Sequence, residues 1–305
     1  MRRRRFLAAG LGVAACVAGC GDRPADRVAG AYEIHAASEQ WVRVAEAFTR
    51  TAREAGYPVG GAGPVSTLTI IGLPALAAAE LNAAESPLHG VTPLARLAGE
   101  VEVVLVAQNS GFTAFDAFGA RLRADPAGTP LAGGPQGTPD HLLFGLIAQG
   151  LGADTRQMNY TGYPGADEAA GALLAGRAAA ATGPLAGWRP YIDRGRVRVL
   201  AVSCADRFPG LDAPSLLESG VRVDFANWCA AVGPGDMPAA ARDAAVGMCE
   251  EVAGSPGWRQ ACREGGWTPI PLGGDRFAAW AASEVRRTRA VLRDLGLLGS
   301  GKGTT

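Results

Sequence analysis

Strand-like and helix-like segments take turns along most of this chain, and no other sequence feature restricts its fold as tightly. Residues 130–133, 157–160, 178–182 and 196–203 read as strands. Between them, residues 141–150, 167–175 and 185–193 read as helices. The N-terminal third behaves alike, with strands expected at 31–35, 66–72 and 100–107 and helices at 40–55, 74–82 and 113–124. The helix at 40–55 is amphipathic, with Trp41, Val44, Ala45, Phe48 and Ala52 on one face. A further strand is expected at 224–232, followed by helices at 238–253, 256–264 and 275–295. Strand followed by helix, repeated, predicts an α/β fold with parallel-dominated sheets and crossover helices. At 305 residues the chain is long enough for two lobes rather than one core.

The first twenty residues address the chain to a compartment. Arg2, Arg3, Arg4 and Arg5 precede an uncharged apolar run at 6–19. That run is too short to span a bilayer, which takes about 20 residues. With small residues at its end it reads as a secretory signal. Val17-Ala18-Gly19-Cys20 resembles the lipobox of bacterial lipoproteins, in which Cys20 becomes the lipidated first residue of the mature chain. The other reading is an ordinary signal peptide with Cys16 and Cys20 incidental. Residues 20–30 read as a tether, and the location implied is extracytoplasmic, lipid-anchored to the bacterial cell membrane.

Charge narrows the partners. Lys+Arg and Asp+Glu are both 29, and after loss of residues 1–19 the acids exceed the bases by four. No nucleic-acid partner is expected from such a balance. Lys302 is the only lysine, which removes P-loop and Schiff-base chemistry. There is no Gly-x-Ser-x-Gly elbow, no His-Glu-x-x-His and no dinucleotide-type glycine motif, so neither an enzyme nor a cofactor is indicated. Cys204, Cys229, Cys249 and Cys262 show no metal spacing, and no metal is expected. Outside the cytoplasm they permit two disulfides. Cys249–Cys262 is favoured because helix-like segments flank the breaker at 254–257, which leaves Cys204–Cys229 by elimination. Buried free thiols are the alternative.

Several short motifs stand in a telling order. Val91-Thr92-Pro93-Leu94-Ala95-Arg96-Leu97, Gly133-Gly134-Pro135-Gln136-Gly137-Thr138-Pro139-Asp140-His141-Leu142, Asn159-Tyr160-Thr161-Gly162, the strand at 196–203, the loop at 208–215 and Asn227-Trp228 with Val232-Gly233-Pro234-Gly235 succeed one another. Together they resemble the substrate-binding receptors of tripartite tricarboxylate transporters (Bug-type receptors). The resemblance implies a two-lobed periplasmic-binding-protein-like fold (type II). It implies a receptor, a monomer, that closes on a small organic acid and delivers it to integral-membrane permease subunits. Lobe 1 would hold 31–107 and 229–299, lobe 2 would hold 108–228, and 300–305 would be a tail. Crossings are expected near 107–111 and 226–230.

The site follows from loop chemistry together with the resemblance. The loop at 133–141 enters a helix, and backbone N–H groups at a helix N-terminus suit a carboxylate. Gly134 and Gly137 let backbone come close, and Thr138 caps the helix or donates its hydroxyl. Asp140 caps the helix or reads an amino or hydroxyl group on the ligand. His141 is a ligand contact or a satisfied helix-start histidine. Thr161, Gly162, Tyr163, Gly165 and Ala166, just before a helix, and Thr182, Gly183 and Pro184 are strand ends that should face the same cleft. Trp228 reads as hinge core. The family's Gly-rich first loop is missing, replaced by Ser38, Glu39, Gln40 and Trp41. Ser38, Glu39 and Trp41 are expected to contact ligand from lobe 1, though with weakened carboxylate capture. An eroded site would suit a sensor or scaffold acting through a protein partner, and a hydrolytic enzyme on the same fold is the remote alternative.

Overall fold

The computed structural model describes residues 31–60 and 65–298. The signal-like segment, Cys20, the tether, the tail at 300–305 and positions 61–64 lie outside the described residues.

The chain begins with β1 (Ala31–Ala36), α1 (Val42–Glu54), β2 (Val65–Gly72), α2 (Leu73–Leu81) and β3 (Val91–Glu100). It continues through β4 (Glu102–Ala107), α3 (Phe115–Ala124), β5 (Leu131–Gly133), α4 (Pro139–Leu151), β6 (Tyr160–Gly162), α5 (Ala166–Leu174), β7 (Ala180–Pro184), α6 (Leu185–Asp193) and β8 (Val197–Val202). It ends with β9 (Asn227–Pro234), α7 (Ala239–Gly254), α8 (Pro256–Gly265), β10 (Thr268–Gly273) and α9 (Gly274–Asp294). Two five-stranded sheets result, in the orders β1-β2-β9-β3-β10 and β6-β5-β7-β4-β8.

The expectation of parallel-dominated sheets needs correcting. Three strand pairs are parallel (β1–β2, β5–β6 and β5–β7) and five are antiparallel. The reason is topological. β4 and β9 each arrive from the opposite sheet and lie against the direction set by the local strand–helix–strand units. β3 and β10 escaped the sequence reading. β3 contains Pro93, where its register on β9 shifts. β10 contains Pro269 and Pro271, tolerated because it is an edge strand.

The lobe boundaries also move. The single residue Val101 separates β3 in the first sheet from β4 in the second. The outgoing crossing is therefore at 100–102, ahead of the expected 107–111. A run of buried valines hides this change, because one continuous strand and two strands in different sheets have the same composition. The return crossing ends at Asn227, opposite Glu100 in register. Ser203 ties the two crossings together. Its backbone N–H donates to the Glu102 carbonyl (2.9 Å), its Oγ accepts from the Glu102 N–H (2.9 Å), and its hydroxyl donates to the Phe225 carbonyl (2.8 Å).

One core fills the first lobe, where Trp41, Phe48, Trp258, Cys229, Cys249 and Cys262 are all buried among α1, α7, α8 and the sheet. α9 packs on β3 and α2 and also on α4, so Phe277, Val291 and Leu292 carry a second apolar cluster across both lobes. Neither expected disulfide is present. All four cysteines are free thiols. Cys204 packs against the second lobe's cluster while Cys229 lies in the first lobe's, and Cys249 and Cys262 serve as small apolar side chains on α7 and α8. Burial pushes both of those thiols up to about 12.

Candidate functional site

A cleft of about 460 Å³ opens between the two sheets. From the first lobe it is lined by Gln40, Pro74, Glu100 and Asn227. From the second lobe come the loop Gly134, Pro135, Thr138, Pro139 and Asp140, the entry to α5 (Pro164, Gly165, Ala166), and Thr182, Pro184, Ala186, Gly187 and Trp188 around the start of α6.

Of the residues expected to face the cleft, Gly134, Thr138, Asp140, Gly165, Ala166, Thr182 and Pro184 line it. Ser38 and Glu39 are exposed and do not line it. Gln40 does, which turns the lobe-1 contact one position along the chain. Trp41 is 1% exposed and belongs to the core. Its indole lies so close to Gly72 that a Cβ there would stand 2.3 Å from Nε1. Trp41 sits on the apolar face of the first helical segment, and that face goes inward. His141 is buried too. Its ring stacks on Tyr160 with centroids 4.0 Å apart, and its Nδ1 accepts the Gly137 N–H at 3.1 Å. Burial lowers its pKa to about 4, so it is a neutral structural imidazole.

Gly137 adopts φ +83° and faces Leu81, where a Cβ would clash at 2.4 Å. It serves lobe-to-lobe contact and is absent from the cleft lining. Gly162 supports the 134–136 backbone from below. Tyr163 packs beside the second lobe's core. Gly183 backs onto the Trp188 indole.

The loop at 133–141 spends its own donors. The Gly134 N–H goes to Asp140 Oδ2 at 2.6 Å, the Gly137 N–H to His141, and the Thr138 N–H and hydroxyl both to the Pro135 carbonyl (3.1 and 2.7 Å). Pro135 and Pro139 have no N–H. Thr138 is the N-cap residue of α4 but makes no side-chain cap bond. With three of its N–H groups taken internally, the loop has less to offer an anion than the expected carboxylate cradle needs.

Other donors replace it. α5 begins at the cap residue Gly165 and α6 at Pro184, and neither helix has a side-chain cap. Gly165, Ala166, Ala186 and Gly187 all line the cleft. First-turn N–H groups of a helix have no intrahelical partner, and the helix dipole places partial positive charge there.

The opposite character comes from three acids. Glu100 ends β3 and Glu102 begins β4. Asp140 stands in the first turn of α4. Glu100 Oε2 accepts from Asn227 Nδ2 (2.7 Å) and Gln40 Nε2 (3.2 Å). Glu102 is 0% exposed, and neither of its carboxylate oxygens has a hydrogen-bond partner. Asn227 Oδ1 has none either. Burial raises the pKa of all three acids; repulsion from neighbouring carboxylates adds to it at Glu102 and Asp140, while the hydrogen bonds from Asn227 and Gln40 hold Glu100 partly back. Asp140 reaches about 6. Among the described residues, no Arg, Lys or His lines the cleft. Glu100, Glu102, Asn227 and Gln40 escaped the sequence reading as site residues. The available signal was two acids, at 100 and 102, inside an otherwise apolar strand.

Two lobes built on separate sheets, joined by paired crossings with a cleft at the join, define a solute-binding protein. The chain belongs to the tripartite tricarboxylate transporter receptor family, whose family model matches residues 76–297. This is a family of solute-binding receptors, not of enzymes. A TctC solute-binding protein from Polaromonas is similar in structure, with TM-score 0.73 and 17% identity over 88% of this chain and 99% of that one. An R. palustris protein solved with adipate gives TM-score 0.62 at 19% identity, covering 90% of this chain and 99% of its own. MatC from Rhodopseudomonas palustris, solved with bound malate, gives 0.59 at 16%, covering 88% and 99%. A curated Cupriavidus necator protein, described as a UPF0065 protein in the gbd 5' region, is 23% identical over 214 residues. That match spans 69% of this chain but only 64% of the C. necator protein, just under two thirds of its length. Among the described residues, no helix is long and apolar enough to cross a membrane.

Proposed function

We propose that this chain is an extracytoplasmic receptor, anchored through lipid on Cys20, that captures a small carboxylated solute between its lobes and delivers it to the membrane permease of a tripartite tricarboxylate-type transporter. The observation that carries this reading is the interlobe cleft, into which the two uncapped helix N-termini of α5 and α6 open. A carboxylate seated there accepts first-turn N–H groups, and each charge-assisted hydrogen bond contributes roughly 1.5–3 kcal/mol. Micromolar binding needs about 8 kcal/mol, so a few such bonds with buried apolar contact suffice. A cleft built this fully favours a working receptor over an eroded scaffold.

Thermal denaturation of the full chain in mild detergent, across a panel of small carboxylic acids, tests this. A ligand at a hundred times its Kd adds about 2.7 kcal/mol of stability. A panel without any shift, on folded protein, would remove the proposal. The position of the carboxylate is tested by Gly165→Asn. Gly165 has extended backbone, and a Cβ there meets only Glu168 Oε2 at 3.2 Å. An Asn at an N-cap takes the first-turn N–H groups for itself. The ligand that shifts the wild type should bind at least about tenfold more weakly, the loss of one charge-assisted hydrogen bond, with the fold intact. Unchanged affinity would place the carboxylate elsewhere. The anchor is checked separately: Cys20→Ser should move the protein from the membrane to the soluble fraction.

A further inference from the structure

The cleft carries two characters, and this restricts the solute further than the family does. The uncapped N-termini of α5 and α6 open into it. Glu100 and Asp140 line it as well, with Glu102 behind them, in register with Pro184 at the start of α6. Glu102 shares a face of β4 with Val104 and Val106, which belong to the cluster packed against α4, so its carboxylate lies toward Asp140 at the start of that helix. Among the described residues, no basic side chain of the lining stands against these acids.

The unpartnered atoms carry the argument. Asn227 lines the cleft, is 2% exposed, and has a free Oδ1. Its orientation is fixed, because the Nδ2 end must donate to the Glu100 carboxylate. Both oxygens of the fully buried Glu102 are free. All three atoms are acceptors. Buried acceptors without donors are costly, and a native protein keeps them where something else supplies the donors. Among the described residues, no group of three His, Cys, Asp or Glu is placed to hold a metal ion. An ammonium group supplies three N–H donors and a compensating charge.

Building on the receptor reading above, we propose that the solute is a small carboxylic acid that also bears a protonated amine, its carboxylate at the α5 and α6 N-termini and its ammonium against Glu100, Asp140 and the Asn227 carbonyl oxygen, with Glu102 behind. A dicarboxylate of equal length would put its second anion against three buried acids.

Isothermal titration of the full chain at pH 7.5 separates these solutes. The probes are 4-aminobutyrate and 5-aminopentanoate, each against the diacid of matching length, succinate and glutarate. The amino acids should bind at least about tenfold more tightly than their diacids, since like charges at close range disfavour the second carboxylate. Diacids binding equally or more tightly would overturn the inference and leave the receptor standing. Binding by neither series would count against both. Glu102→Gln supplies an independent readout. It should raise the melting temperature of the unliganded protein and reduce the preference for amine over diacid. A Glu102 that is only structural would leave that preference unchanged. If Glu102→Gln fails to fold, Glu100→Gln, at the partly exposed edge of the same cluster, carries the same expectation.

Discussion

Replacing Asp140 by Asn should stabilise the unliganded protein at pH 7.5, by about 3 kcal/mol at most. The side chain is almost wholly buried, and its pKa is raised from 3.8 to about 6. Above pH 6 the carboxylate is charged in both folded and unfolded chains, and the folded state bears the full cost. Below the unfolded value both are protonated and the cost is gone. The wild type therefore gains stability from this group as pH falls from 6 toward 4, and the variant does not. The advantage of Asp140→Asn should be complete above pH 6 and close near pH 4. An amide oxygen can still accept the Gly134 N–H, so the loop is preserved.

The neighbouring His141 works the other way. Its pKa is lowered to about 4 by burial, so below pH 6.5 the unfolded chain takes up a proton that the folded one refuses. Stability is lost over that interval, again by about 3 kcal/mol when complete. The two groups oppose each other between pH 6 and 4, which flattens the wild-type profile. Urea midpoints at pH 7.5, 6, 5 and 4 check this. A gain for Asp140→Asn that persists unchanged at pH 4 would refute burial of a charged carboxylate as its cause. A stabilising change inside a binding cleft is the expected cost of function there.

Trp258→Ala should cost about 3–5 kcal/mol, the usual range for deleting a buried aromatic side chain. Trp258 is 0% exposed and stands edge-on to Phe48, ring centroids 5.2 Å apart at 90°. Its indole N–H donates to the Leu97 carbonyl of β3 at 3.4 Å. Truncation leaves a cavity between α8, α1 and the sheet and removes the donor for that carbonyl. Because native domains are stable by only about 5–15 kcal/mol, the first lobe would be near its limit. Trp258→Phe, which keeps the ring contact and loses the N–H, should lose much less. Chemical denaturation of both variants tests this, and equal losses would show that the hydrogen bond, rather than packing, dominates.

Much of the framework is legible in the sequence. Apolar periodicity places α1, α4, α6 and α9 within a residue or two of their observed ends at most points, because each helix must bury one face. Strand–helix alternation gives the α/β class. The order of short motifs leads to the receptor family. Pro93 and the prolines of β10 hide two strands, since a proline lowers strand propensity at positions where a bulge or an edge makes it harmless.

The site is another matter. The sequence alone indicates a helix-entry loop at 133–141, glycines for close approach and an altered first loop. It cannot show that Asp140, His141 and Pro135 consume that loop's donors, because those bonds depend on how the turn folds back. Nor can it show that Glu100 faces Asn227, 127 positions away, or that both line one cleft with Asp140. Local propensity acts over a few residues, and it settles which elements form. That Glu100, Asp140 and two helix N-termini share one cleft is set by where Val101 passes the chain from one sheet to the other, which only the packing of the whole molecule decides.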